Sequence, residues 1–310
     1  MNLKVLINRN YWSFKVNIWK IMDIQFAQLI VNGIALGSII ALASIGLTLT
    51  YGILGLSNFA HGDLITLGAY LTLLANSLGI NILISVVIAA VGTVSFILLS
   101  EKLLWSRMRC IQAKSTTFII ISIGLALLLR NSIIFIWGGG NKNYNLPVTP
   151  ALKIFGLNIP QNQLLVLILT VAAILALNYL LQKTKIGKAM RAVADDINLA
   201  RISGINVDKV IIWTWVIIGS ITSLSGSMYG LITTIRPNMG WFLILPLFAS
   251  VILGGIGNPY GAVAGAFIIG TVQEISTPWL GSQYKQAVAL AIMIAVLLIR
   301  PKGLFKGTNI

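Results

Sequence analysis

Apolar runs about as long as a bilayer-crossing helix requires, roughly 20 residues each, recur about eight or nine times along the chain. They fall near residues 26–51, 64–78, 82–100, 116–137, 163–181, 210–235, 242–275 and 284–300. The first is rich in small residues (Gly33, Ala35, Gly37, Ser38, Ala41, Ala43, Ser44, Gly46), whose spacing lets helices approach closely in lipid. The seventh is too long for one crossing. Its middle, Leu253-Gly-Gly-Ile-Gly-Asn-Pro-Tyr-Gly261, predicts two shorter helices joined by a glycine-rich bend. Between the first and second runs lies Tyr51-Gly-Ile-Leu-Gly-Leu-Ser-Asn-Phe-Ala-His-Gly-Asp63. An irregular backbone there could not face lipid, so it must be buried in protein or line a cavity. The pattern predicts an all-α fold, a polytopic integral membrane helical bundle with broken helices.

One polar passage stands apart. Residues 183–209 carry six of the 22 Lys and Arg residues and three of the seven acidic ones. Ile186, Met190, Val193, Ile197 and Ala200 recur at spacings of three and four and mark one face of a short helix. Lys188, Arg191, Asp195 and Asn198 fall on other faces, and Gly204 offers a left-handed stop. Two readings stand: an amphipathic helix displayed to a soluble partner, or a charged loop that only fixes topology.

Composition agrees with the pattern. Hydrophobic residues make up 57% of the chain and charged ones 9%, which excludes an ordinary soluble domain. The net charge of +15 would suit nucleic acid, but the basic residues sit between apolar runs without interleaved stacking aromatics. Positive-inside topology accounts for them, with Lys102, Arg107, Arg109 and Lys114 marking a second internal loop. The loop 138–162, with three prolines and only Lys142 and Lys153 as charges, reads as external. If the first two runs each cross once, the start of the first lies outside. Four basic residues before Met22 oppose that, so the chain reads as starting at Met22 or, as the lesser alternative, with a first run that re-enters at residues 51–63. Taken by themselves, residues 1–21 also read as an interfacial segment. The single cysteine, Cys110, and single histidine, His61, exclude an intrachain disulfide and a Cys- or His-rich metal site.

Four ionisable residues fall at the edges of, or inside, apolar runs: His61, Asp63, Arg130 and Glu274. Such groups are costly in hydrocarbon and prefer the bundle interior. Asp63 is placed to cap the second helix. Arg130 is placed either to meet a carboxylate, that of Glu274 or of a passing substrate, or to snorkel outward. Glu274 reads as exposed at a membrane surface and His61 as a hydrogen-bonded structural residue. No catalytic set emerges, and no Walker A sequence is present. Gly254-Gly-Ile-Gly257 lacks dinucleotide spacing and a preceding strand, so close helix approach explains it better than a cofactor.

Several motifs occur together: Asn32-Gly-Ile-Ala-Leu-Gly-Ser38, Gly46 through Asp63, Gly187-Lys-Ala-Met-Arg-Ala-Val-Ala-Asp-Asp196, Ala200-Arg-Ile-Ser-Gly-Ile-Asn206 and Leu253 through Gly265. In this order they resemble the branched-chain amino-acid ABC permease family, specifically its H-type subunit, from Met22 to the C-terminus. The resemblance implies a permease domain over residues 22–310 behind an N-terminal extension of 1–21. It also implies a multi-pass location in the bacterial inner membrane. The partners it implies are a homologous M-type permease, two cytoplasmic ATPase subunits and a periplasmic binding protein. ATP would be used by those ATPases, and this chain would bind no cofactor and no metal. The matching coupling helix would engage an ATPase through Gly187, Met190, Arg191, Val193, Ala194, Asp195, Asp196, Ala200 and Gly204. Candidate path residues are Asn58, His61, Asp63, Arg130, Gly254, Gly255, Gly257 and Asn258, where non-helical backbone could serve a zwitterion. Neutral amino acids are the implied substrate, with urea or short-chain amides as an alternative. A stand-alone secondary transporter or channel is the competing class.

Overall fold

The computed structural model describes residues 3–147, 150–154, 156–300 and 303–305. The readings for residues 1–21 rest on side chains outside the described residues. In chain order the helices are α1 (Leu3–Leu54), α2 (His61–Ser77), α3 (Ile82–Ser100), α4 (Ser106–Cys110) and α5 (Ser115–Trp137). A two-stranded antiparallel hairpin follows, β1 (Leu152–Ile154) and β2 (Leu157–Ile159). Then come α6 (Gln161–Lys183), α7 (Lys185–Asp195), α8 (Ile197–Ile202), α9 (Val207–Ile232) and α10 (Met239–Gly254). The chain closes with α11 (Pro259–Ile275), α12 (Thr277–Leu280) and α13 (Lys285–Ile299).

Among the described residues, six stretches are long and apolar enough to cross a bilayer: 24–54, 82–110, 115–137, 161–183, 207–232 and 282–299. The remaining expected passages are α2, α10 and α11, cut to 17, 16 and 17 residues by non-helical breaks. The long seventh run divides at residues 255–258 as its glycines require, Gly255 and Gly257 taking φ of +99° and +85°. The hairpin in the loop between α5 and α6 is the one addition to an otherwise helical expectation.

Helix ends sort into two layers. Trp215, in the first third of α9, bonds Glu101 at the end of α3, so the 101–114 loop and the 183–209 passage share a basic end. At the opposite end Lys142 bridges to Ile235 beyond α9, and Gln28 of α1 exchanges hydrogen bonds with the Asn158 backbone at 2.9 and 3.0 Å. The membrane part of α1 therefore starts at the end away from the basic loops, which satisfies the crossing parity read from the sequence.

The core is built on close backbone approach. A Cβ on Gly226 of α9 would lie 2.0 Å from the Ile65 carbonyl oxygen of α2, and one on Gly270 of α11 would lie 2.5 Å from Gly37 Cα of α1. Lipid tails are as apolar as leucine, so packing through such small residues holds the bundle together.

At the basic end the last turn of α3 widens into a π-helical turn, Glu101–Trp105. It turns the Glu101 carboxylate inward, where Oε2 accepts from Trp215 Nε1 at 2.7 Å and Oε1 accepts from Arg109. Trp105 stacks between Phe118 and Trp215. Glu101→Ala removes both acceptor oxygens and strands the buried Trp215 donor and the partly buried Arg109, at a cost of about 2 kcal/mol. A lower unfolding temperature in detergent is the expected result, and an unchanged one would show that the network adds nothing.

Candidate functional site

The 183–209 passage folds as two short helices. Thr184 begins α7, its Oγ1 accepting from Gly187 N at 3.0 Å. Gly187 fits against the end of α6 so tightly that a Cβ would lie 2.2 Å from the Leu180 carbonyl oxygen. Met190 and Val193 are buried, fixing α7 to the bundle, while Lys188, Arg191 and Asp195 are exposed and Ala194 is half-buried. The expectation of one helix through Ala200 is corrected. Asp196 leaves helical geometry and caps α8, its Oδ1 accepting from Asn198 N at 2.8 Å and Leu199 N at 2.9 Å. This resets the helical phase. Ile197, expected on one face with Met190 and Val193, is 39% exposed where they are buried, and Leu199 and Ile202 are 62% and 83% exposed. Ala200 is buried in one cluster with Met190, Val193 and Val207, and Gly204 takes the left-handed conformation at φ +83° as expected. The passage thus presents an apolar tip, Ile197, Leu199 and Ile202, on a rigidly capped mount.

The path candidates fall into two groups. In the first, Asn58 closes the turn at the break between α1 and α2, its Oδ1 accepting from Ala60 N at 3.0 Å. His61 is fully buried, with Nε2 donating to the Ala43 carbonyl oxygen at 2.9 Å. Asp63 does not cap α2. It lies in the first turn, and both its oxygens accept from Arg130, Oδ1 from Nε at 3.0 Å and Oδ2 from Nη2 at 2.9 Å. Arg130 therefore meets neither Glu274 nor the external surface, because Asp63 holds the guanidinium between α2 and α5. Glu274 is largely buried and pairs instead with Lys285, so its expected exposure is also corrected. The Trp241 ring at the start of α10 lies 4.7 Å from the Arg130 guanidinium carbon. Here the N-termini of α2 and α10 cross, Gly62 against Gly240, with Gly240 N donating to Thr66 Oγ1 at 3.0 Å. Neither Trp241 nor Gly240 was singled out from the sequence, although the Gly-Trp pair opening an apolar run is a usable signal.

The second group sits at the basic end. Gly254 abuts Gly261 across the α10–α11 corner, and Asn258 Oδ1 caps α11 by accepting from Tyr260 N and Gly261 N, both at 3.1 Å. Gly257 N donates to Thr48 Oγ1 at 3.0 Å. The corner is closed from below by the C-terminal segment, where Leu304 N donates to the Leu253 carbonyl and Asn258 Nδ2 to the Phe305 carbonyl. The backbone groups offered to a zwitterion at Gly254 and Gly255 are thus taken up in packing. Gly257 and Asn258 line a cleft of about 380 Å3 together with Met190, Arg191, Ala194 and Asp195 of α7. The corner and the coupling candidates form one unit. Among the described residues no cluster of three or more His, Cys, Asp or Glu side chains could hold a metal.

A lipid-spanning bundle with broken helices meeting inside it, and a capped amphipathic pair at its basic end, defines a multi-pass membrane permease domain. Residues 29–297 match the family described as branched-chain amino acid transport system / permease component, and the chain belongs to that family. It is 32% identical over 296 residues to the high-affinity branched-chain amino acid transport system permease protein LivH of Salmonella typhimurium, covering 91% of this chain and 96% of that one. It is 29% identical to the BraD permease protein of Pseudomonas aeruginosa, covering 90% and 95%. A solved structure, PsaBC from Streptococcus pneumoniae in complex with Fab, matches 89% of this chain and 92% of its own at a TM-score of 0.51. At 13% identity that likeness concerns the fold alone. Membership in a family of transport-system components sets aside the stand-alone transporter or channel.

Proposed function

We propose that this chain is the H-type permease subunit of an ATP-driven importer for branched-chain or other neutral amino acids in the bacterial inner membrane. A homologous second permease completes the path, a periplasmic binding protein delivers substrate, and two cytoplasmic ATPases supply the work. ATP is used only by those subunits, and the permease binds no cofactor of its own. The names of the relatives favour amino acids over urea or short-chain amides.

The observation that carries this reading is the apolar tip of α8, with Ile202 83% exposed beside the basic residues of the same end. An apolar cluster exposed beyond a membrane face needs a protein surface to cover it. Its mount transmits force because α7 is tied into α6 through Gly187 and into α9 through Met190 and Val193, which share a buried cluster with Val207 and Val210. Purification of the tagged chain from its native membranes is expected to recover a second permease and ATPases. L-leucine uptake into vesicles is expected to require ATP. Transport by this chain alone would overturn the reading.

A further inference from the structure

Arg130 is bound on one edge only. Asp63 engages Nε and Nη2, a side-on pair that fixes the plane of the guanidinium, and Trp241 lies against it at 4.7 Å. A guanidinium carries five N–H groups, and side-on pairing leaves the Nη1/Nη2 end able to take a second carboxylate. Among the described residues nothing engages that end. Exposure is split in the same sense, the Asp63 side chain being 1% exposed and that of Arg130 16%.

The surroundings are unusual for a charge. Leu127, Leu128 and Ile134 of α5 are each at least 40% exposed, as lipid- or partner-facing residues are, and Asn131 beside Arg130 is exposed with its Nδ2 donating to the Leu127 carbonyl oxygen at 2.7 Å. A charge beside such an apolar face is costly in hydrocarbon, so the open end of Arg130 calls for water, a partner or a ligand. The crossing of α2 and α10 sets the pair inside the bundle, away from the basic loops.

We propose that Arg130 recognises the carboxylate of the passing substrate through its Nη1/Nη2 end, and that Asp63 is the positioning residue that aims it. This rests on the amino-acid import reading above. The buried Asp63 neutralises most of the field of Arg130 and lowers its hold on the ligand, as a transit site requires.

The test uses the complete transporter in proteoliposomes, with its binding protein, L-leucine and ATP. Arg130→Gln and Arg130→Lys are each expected to cut L-leucine uptake at least about tenfold. ATP hydrolysis stimulated by the binding protein should stay within about twofold. The double exchange D63R/R130D restores a pair but reverses its polarity, and is expected to remain inactive. Normal uptake by R130K, or recovery by the double exchange, would reduce the pair to a packing element and overturn the proposal. Loss of assembly in both single variants would overturn it equally. If the unaltered transporter carries no L-leucine, the import reading itself fails before any variant is compared.

Discussion

Valine at position 240 is expected to abolish uptake and to cut the yield of folded permease sharply. A Cβ on residue 240 would lie 1.8 Å from the Gly62 carbonyl oxygen, 2.4 Å from its carbon and 2.6 Å from Thr66 Oγ1. The approach is mutual, since a Cβ on Gly62 would lie 2.4 Å from the Gly240 carbonyl oxygen. Both obstacles are backbone in the first turns of helices, so neither can rotate aside. Relief requires α2 and α10 to separate, which breaks the Gly240 to Thr66 bond and opens the cluster of Ile65, Leu243, Ile244 and Leu247. Overpacking commonly costs 1–3 kcal/mol and more where backbone must move, which here is enough to displace the Asp63–Arg130–Trp241 group as well. Fluorescence-detected chromatography would measure the folded fraction and vesicle uptake the activity. Wild-type behaviour of Gly240→Val would refute the crossing of the two helix starts.

The second large effect is expected at the tip of α8. Ile202→Asp puts a charge where a partner surface must exclude water, and loss of a central apolar anchor commonly costs 2 kcal/mol or more. ATPase capture by the purified permease should fall about thirtyfold or further, and uptake with it. The same substitution leaves the permease intact, because residue 202 is 83% exposed and lies outside the buried cluster that holds Ala200. Ala200→Asp separates the two roles. Its side chain is 3% exposed within the cluster that includes Met190, Val193 and Val207, so it should disrupt the mount itself. Retention of the ATPases by Ile202→Asp, measured by pull-down of the intact permease, would remove the tip from the contact.

The sequence carried the helices and their breaks more fully than the contacts between them. Apolar length located most of the long helices, and the glycines at 255 and 257 marked the corner that divides the seventh run because left-handed backbone is costly for other residues. The 183–209 passage was legible as amphipathic, but its phase was not. Asp196 followed by Ile-Asn-Leu is a cap signal that restarts the helix, and overlooking it placed Ile197 on the wrong face. The partner of Arg130 was not legible for a different reason. Asp63 lies on another helix, and its first-turn position favours a cap as strongly as an ion pair. Only the close approach of α2 to α5 and α10 decides between them, and the α2–α10 crossing depends on the Gly62–Gly240 contact, which has no periodic signature.

The pairing of α1 with α11 bears on biogenesis. Gly33 and Gly37 of α1 meet Thr271 and Phe267, so one of the first helices to leave the ribosome finds its partner among the last. At ordinary synthesis rates of roughly 5–20 residues per second, α1 waits on the order of tens of seconds with that groove open to lipid. Insertion of the early helices and closure of the bundle are thus separate events. A ribosome stalled before Pro259 would leave a nascent chain already threaded through the membrane in which α1 can meet α9, through bonds such as Ser225 to the Ile39 carbonyl, but not α11.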